Sequence, residues 1–372
     1  MTGYRNQLTI PYLENKTFVV TVGESAWINV PCLAIDEQLI CDKVNPAAGL
    51  KTDASASPVA VPVVEPMYYI LPDVLRNWPY KRIISPHETA ADNESREWFW
   101  NLLPVSSASL KKFEDTGNDD HSDDCDTEST RAVCEATMDA IRHPEKPRPV
   151  GEHVFGEMAR QFWKRASVNA PQATKERFVS VWRKYLDSVI LQASHRHSRH
   201  ISTIEEYMIS RRDNIGIYPC YVLLEMSLGV DIPHHIMEHP TIVALASDAA
   251  EMVTLSNDMC SYKKETLANS ADYNAVTIVM RLNKTDVSGG IQWIADRHDE
   301  LAKHFLKLRD EVNNKIEFPS LGDEMDQQVE AYVHGMGNWV RANYDWMFEV
   351  GCGRYFGEDG PEIQRTRKVV IA

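Results

Sequence analysis

The 372-residue chain has no long apolar run, no basic stretch and few cysteines, and each shortage excludes something. No apolar run approaches the roughly 20 residues that a membrane helix requires, so membrane insertion is not expected. The formal net charge is −15, and without a basic patch neither nucleic acid nor an anionic membrane surface fits as a partner. Seven scattered cysteines, an odd number, suit free thiols in a reducing compartment, and a cytoplasmic location is expected. The stretch "MTGYRNQLTIPYLENK" shows no basic start followed by an apolar core, so no secretory signal is expected. In that setting the sequon Asn15-Lys16-Thr17 carries no consequence. The composition that remains, 43% hydrophobic and 25% charged, is that of a globular protein with a sizeable core.

Strand signals are also scarce. After residue 68 no convincing segment alternates apolar and polar residues, and helical periods take over. "PHETAADNESREWFWNLL" reads as a helix with Trp98 and Phe99 inward, and "TESTRAVCEATMDAIRH" as one starting near Thr127. Val154, Met158 and Phe162 recur at i, i+4, i+8. Phe178, Val181, Trp182, Tyr185 and Val189 follow at spacings of three and four. Thr203 and Glu206 form a capping box ahead of "YMISRRDNIG". Pro219 is expected to interrupt or kink the helix after it. Four more helical segments cover 240–266, 271–282, 287–313 and 324–349. The expected fold is an all-α bundle over residues 66–358, with a C-terminal tail over 359–372. Residues 1–65 differ: "TFVVTVGESAWINVPCLAI" lacks helical period and "NPAAGLKTDASASPVAVPVVEP" is rich in Pro, Ala and Ser. They are read as a poorly ordered, irregular N-terminal extension.

Chemistry concentrates in two acidic patterns. In "SNDMCSYKKE", Asn257, Ser261 and Glu265 stand at i, i+4, i+8. Each step of four returns to within about 40° of the same helix face and climbs about 6 Å. Three hard oxygen donors on one rigid face suit a hard divalent cation such as Mg2+. The plainer reading is a polar stripe facing water. In "NDDHSDDCD", Asp119, Asp120 and Asp123 form D-D-x-x-D, which either bridges metal ions to a phosphate or is a solvated acidic loop. Together the two sets are more informative, since an acidic site holds an anionic substrate only through cations and two acidic ligand sets with a few arginines are what a metal-bridged diphosphate site requires. Arg211 and Arg212 in "RRDNIG", and Arg354 with Tyr355 in "GRYFG", could grip the phosphate oxygens or be ordinary surface residues. His298-Asp299 invites comparison with a metal dyad but is read as a solvated pair. His195, His197 and His200 are read as a basic helix end. Trp339, Tyr344, Trp346 and Phe348 either line a carbocation pocket or pack the core.

"NDMCSYKKE" resembles the N-D-x-x-S-x-x-K-E metal motif of class I terpene synthases. The flanking text is similar to the fungal, basidiomycete-type sesquiterpene synthases, notably "LPDVLRNWPYKRIISPH", "MDAIRHPEKPRPVGE", "ARQFWKRA", "RRDNIG", "HPTI", "GNWVRANYDW" and "RYFG". The resemblance runs from Tyr69 to Gly357. It implies an all-α class I terpenoid cyclase bundle, farnesyl diphosphate as substrate and three Mg2+ ions. By position it implies Asp119, Asp120, Asp123, Asn257, Ser261 and Glu265 as metal ligands. Arg211 falls on the diphosphate-sensing arginine, with Asn214 and the Ile215 backbone on the groups that pass ionisation to the substrate. Lys264, Arg354 and Tyr355 fall on diphosphate contacts. Before the aspartate pattern the family has a long apolar helix, where this chain has the shorter, polar "PVSSASLKKFEDTGN". A degenerate, inactive relative or a non-catalytic all-α interaction protein are the competing readings. Oligomeric state is not legible.

Overall fold

The computed structural model describes residues 6–11, 17–22, 67–102, 127–198, 202–349 and 355–371. In chain order the elements are β1 (Asn6–Pro11), β2 (Thr17–Val22), β3 (Tyr68–Ile70), α1 (Glu88–Leu102), α2 (Thr127–Arg142), α3 (Val154–Ala166), α4 (Gln172–Ser198), α5 (Ile204–Asn214) and α6 (Ile217–Leu228). They continue with α7 (His234–Met237), α8 (Pro240–Leu267), α9 (Ala275–Asn283), α10 (Val287–Asn314), α11 (Asp323–Glu349), α12 (Gly360–Thr366) and β4 (Lys368–Val370). The all-α expectation holds. The strands form two small antiparallel pairs, β1 with β2 and β3 with β4.

Helix α8 is the axis of the main core. Pro240 opens it at a position where a missing N–H costs nothing, and the His239 side chain accepts from the Thr241 N–H. Ile242, Leu245, Ala249, Met252, Val253, Leu255, Met259 and Tyr262 are buried around its circumference, so it is enclosed on most sides. Helices α5, α10 and α11 pack against it. A second core stacks Trp163 on Phe178 and Phe178 on Trp182, with ring centroids 4.2 and 5.7 Å apart, joining α3 to α4. Trp98 of α1 donates to Gln161 and rests half-buried on Val133, Phe155 and Met158. The Phe99 side chain lies outside what is described.

Two features position the site. The capping box is present, with the Thr203 hydroxyl accepting from the Glu206 N–H and the Glu206 carboxylate from the Thr203 N–H. Pro219 does not interrupt or kink α6 as expected, and the chain break ahead of that helix is made by a glycine. It falls at Gly216, whose φ of +73° favours glycine. Pro219 sits in the first turn of α6, where its absent N–H has no partner to lose. At the other end, β4 pairs with β3 in the register Tyr69↔Val369, and both residues are buried. That clasp fastens the segment after Tyr355 to the start of the bundle.

Candidate active site

The ladder lies on the last three turns of α8, and it is not a solvated stripe. Ser261 is buried, and Asn257 and Glu265 are half-buried. Each end is held from a different element. The Asn257 Nδ2 donates to the Tyr355 hydroxyl at 2.8 Å, and its Oδ1 accepts from Arg211 Nη2 at 3.2 Å. Glu265 accepts at 2.9 Å from Asn274, the residue capping α9. Arg211 reaches in from α5 just before the Gly216 break, and its Nη1 donates to Asn214 Oδ1 at 2.8 Å. Arg211, Asn214, Asn257 and Tyr355, which span 145 positions of sequence, are therefore joined in one hydrogen-bonded row. Lys264 is half-buried next to Glu265 in the chain.

Beneath the row lies Asp258, 2% exposed. Its carboxylate accepts from Tyr207 at 2.6 Å, from the Ala275 N–H at 2.9 Å and from Arg211 at 3.4 Å. Burial raises the Asp258 pKa, and Arg211 and Tyr207 pull it back. Burial also raises that of Glu265, helped by the charge of Asp258 and opposed by Ser261, Asn274 and Arg211. For Arg211, burial works against the charge, but Tyr207, Asp258 and Glu265 outweigh it and the guanidinium stays protonated.

Asp119, Asp120, Asp123 and Arg354 lie outside the described residues. Arg212 does not join the row. It turns the other way, onto Glu251. His298 and Asp299 are not a solvated pair: Asp299 is exposed, while His298 is 0% exposed with neither ring nitrogen hydrogen-bonded. Burial holds its pKa down, at about 4, so it stays neutral within the core. His195 is half-buried, and the side chains of His197 and His200 are not described. Tyr344 and Phe348 are core residues, and Trp339 and Trp346 are half-buried against that core. Trp346 meets the Tyr355 ring edge-on at 5.8 Å. Sequence reasoning missed Tyr207, Asp258 and Asn274. Asn274 left a signal, as an asparagine ahead of the apolar run "AVTIVM", and Asp258 stands as the second letter of the "NDMCSYKKE" motif.

A divalent cation with a diphosphate fits these residues. The ladder of Asn257, Ser261 and Glu265 offers an amide oxygen, a hydroxyl and a carboxylate, all hard donors. Arg211 Nε and Ser261 Oγ are buried without a well-formed hydrogen bond, so a donor and an acceptor are left over. Among the described residues no group of three His, Cys, Asp or Glu side chains forms a metal site on its own.

An all-helical bundle carrying this row defines a class I terpenoid cyclase. Residues 116–304 match the model of terpene synthase family 2, C-terminal metal binding. A Delta(6)-protoilludene synthase of Hypholoma sublateritium is 37% identical over 315 residues, covering 80% of this chain and 93% of that protein. Sesquiterpene synthase 9 of Postia placenta is 36% identical, covering 82% and 94%. The α-eudesmol synthase crystal structure superposes with a TM-score of 0.63 at 17% identity, covering 73% of this chain and 98% of that one. Germacradien-4-ol synthase from Streptomyces citricolor gives 0.60 at 19%, covering 72% and 96%. The chain belongs to the terpene synthase family and is an enzyme of its fungal sesquiterpene synthase branch. The 359-residue alignment to a Delta(6)-protoilludene synthase of Stereum hirsutum uses 86% of this 372-residue chain, so that relative carries residues with no counterpart here.

Proposed function

We propose that the chain is a Mg2+-dependent sesquiterpene synthase that ionises and cyclises farnesyl diphosphate. The observation that carries this reading is the row Arg211, Asn257 and Tyr355 beside Ser261 and Glu265, with one buried donor and one buried acceptor left unused. Asn257, Ser261 and Glu265 would hold Mg2+, facing a further set on Asp119, Asp120 and Asp123. The bound ions would supply positive charge to the leaving diphosphate. Arg211, Lys264, Arg354 and Tyr355 would add hydrogen bonds to its oxygens, where negative charge grows as the C–O bond breaks. Asn214 fixes the Arg211 guanidinium, so the donor is oriented before substrate arrives. The electron pair leaves with the diphosphate. The allylic cation closes on its own double bonds and ends by losing a proton or capturing water.

The test is purified protein with farnesyl diphosphate and Mg2+, read by gas chromatography of the products and by pyrophosphate release. A hydrocarbon or alcohol formed only with the metal supports the reading, and no product at any metal concentration overturns it. The polar stretch before Asp119, where the family has a long apolar helix, favours a second reading, in which the chain binds diphosphate without turnover. Pyrophosphate binding that needs Mg2+, without product, would select it.

A further inference from the structure

The metal–diphosphate reading leaves open what fixes Glu265 before any cation arrives. Building on that reading, we propose that Asn274 is a positioning residue for Glu265, holding its carboxylate in line with Asn257 and Ser261.

Asn274 is 0% exposed and uses both ends of its amide. Its Oδ1 accepts from the Val276 N–H at 2.8 Å and caps α9. Its Nδ2 donates at 2.9 Å to Glu265 Oε2 and at 2.9 Å to the Asp258 carbonyl, clamping one helix start to the last turns of α8. The adjacent Ala275 N–H donates to the Asp258 carboxylate, so the start of α9 delivers two successive donors to the same acidic pair. A glutamate side chain has three rotatable torsions. Without a fixed donor it would be free to swing away from the ladder.

The cap alone does not call for asparagine. Serine, threonine and aspartate cap a helix about as well, because a cap needs only the acceptor oxygen. Aspartate would set a second carboxylate oxygen against Glu265 and against the Asp258 carbonyl. Serine and threonine would cap without reaching Glu265. Asparagine is the capping side chain that also offers a neutral amide donor. That donor orients a ligand without cancelling its charge.

The two roles separate experimentally. Asn274→Ser and Asn274→Asp keep the capping acceptor and lose the donor to Glu265. Each is compared with wild type by thermal denaturation alone, and by calorimetric titration with inorganic pyrophosphate in excess Mg2+. The unliganded melting temperature of Asn274→Ser should stay near wild type, that of Asn274→Asp should fall because its buried carboxylate faces Glu265, and pyrophosphate affinity should fall about 10–100-fold in each. If one variant fails to fold, the other carries the comparison. Because the effect passes through Glu265, Asn274→Ser should cost little more in a Glu265→Gln background. Affinity within twofold of wild type in a folded variant, or a full additional loss in the Glu265→Gln background, overturns the role of Asn274 alone. A wild-type chain that binds no pyrophosphate in Mg2+ overturns the metal–diphosphate reading and this inference with it.

Discussion

Helix α8 carries two acidic clusters ten residues apart, and the protein treats them in opposite ways. In the first, Glu251 accepts from Arg212 at 2.8 Å and from Arg297 at 3.2 Å, and Asp248 meets His304 at 2.7 Å. Two carboxylates there face two guanidiniums and an imidazole. In the second, Asp258 and Glu265 are held by a tyrosine hydroxyl, a backbone N–H and an asparagine amide, with Arg211 placed between Asp258 and Asn257. Neutral donors orient a carboxylate without cancelling its charge. The first cluster is already neutralised by the chain's own cations. The second keeps negative charge on a fixed frame, which is the condition for meeting a cation from solution.

The sharpest way to test this contrast is to remove the second cluster's ligands. Glu265→Gln and Asn257→Ala should each cut Mg2+-dependent pyrophosphate release from farnesyl diphosphate by at least about 100-fold. Neither should weaken the fold. The Glu265 carboxyl is already pushed up by burial, so a neutral glutamine removes an unfavourable charge. Near-normal turnover in either variant would show that the ladder is not the ligand set.

The first cluster should instead respond to pH. Burial pushes Asp248 from 3.8 up to about 6, against the pull of His304, while Glu251 raises it further and Arg297 lowers it. A folded-state value above the unfolded one means that the stabilisation is complete below about pH 4 and is lost as pH rises through the folded value. Asp248→Asn carries no ionisation and suffers no such loss. The variant should therefore gain on wild type as pH rises from acid to neutral, by on the order of 2–3 kcal/mol in denaturant unfolding. A difference between the two proteins that stays flat with pH would contradict a desolvated Asp248.

Much of this contrast could be read in the sequence, but not its direction. The ladder spacing, the capping box and the helix segments follow from local periodicity, and "NDMCSYKKE" with "RRDNIG" and "RYFG" resembles one family closely enough to name the fold. Pro219 suggests a kink but makes none, because a proline disrupts a helix only beyond its first turn and α6 begins just after Gly216. His298 looked solvated because its immediate neighbour Asp299 is charged, yet the residue's own face of α10 is turned into the core. The roles of Tyr207 and Asp258 depend on contacts across 51 and 47 residues of chain that no local pattern encodes, and for Asn274 the local pattern shows the helix cap but not the contact to Glu265. Arg212 is told apart from Arg211 only by the family resemblance, since residue type and position alone do not separate them, and in the fold it faces the other cluster.

Glu251→Gln should give the smallest effect and the cleanest contrast. Glu251 is 4% exposed and holds both Arg212 and Arg297. Breaking a fully buried ion pair by removing one partner typically costs about 3–5 kcal/mol. Here the two arginine side chains are 39% and 41% exposed and can turn to water once released. Glutamine also keeps one acceptor oxygen in place. The expected loss is therefore about 1–2 kcal/mol in denaturant unfolding. Metal-dependent pyrophosphate affinity should be unchanged, because Arg211 takes its geometry from Asn214, Asn257 and Asp258 and not from its neighbour's partner. A large loss of pyrophosphate binding in a stably folded Glu251→Gln would mean that the two clusters act as one unit through the Arg211–Arg212 step. The division between a neutralised half and a charged half of α8 would then fail.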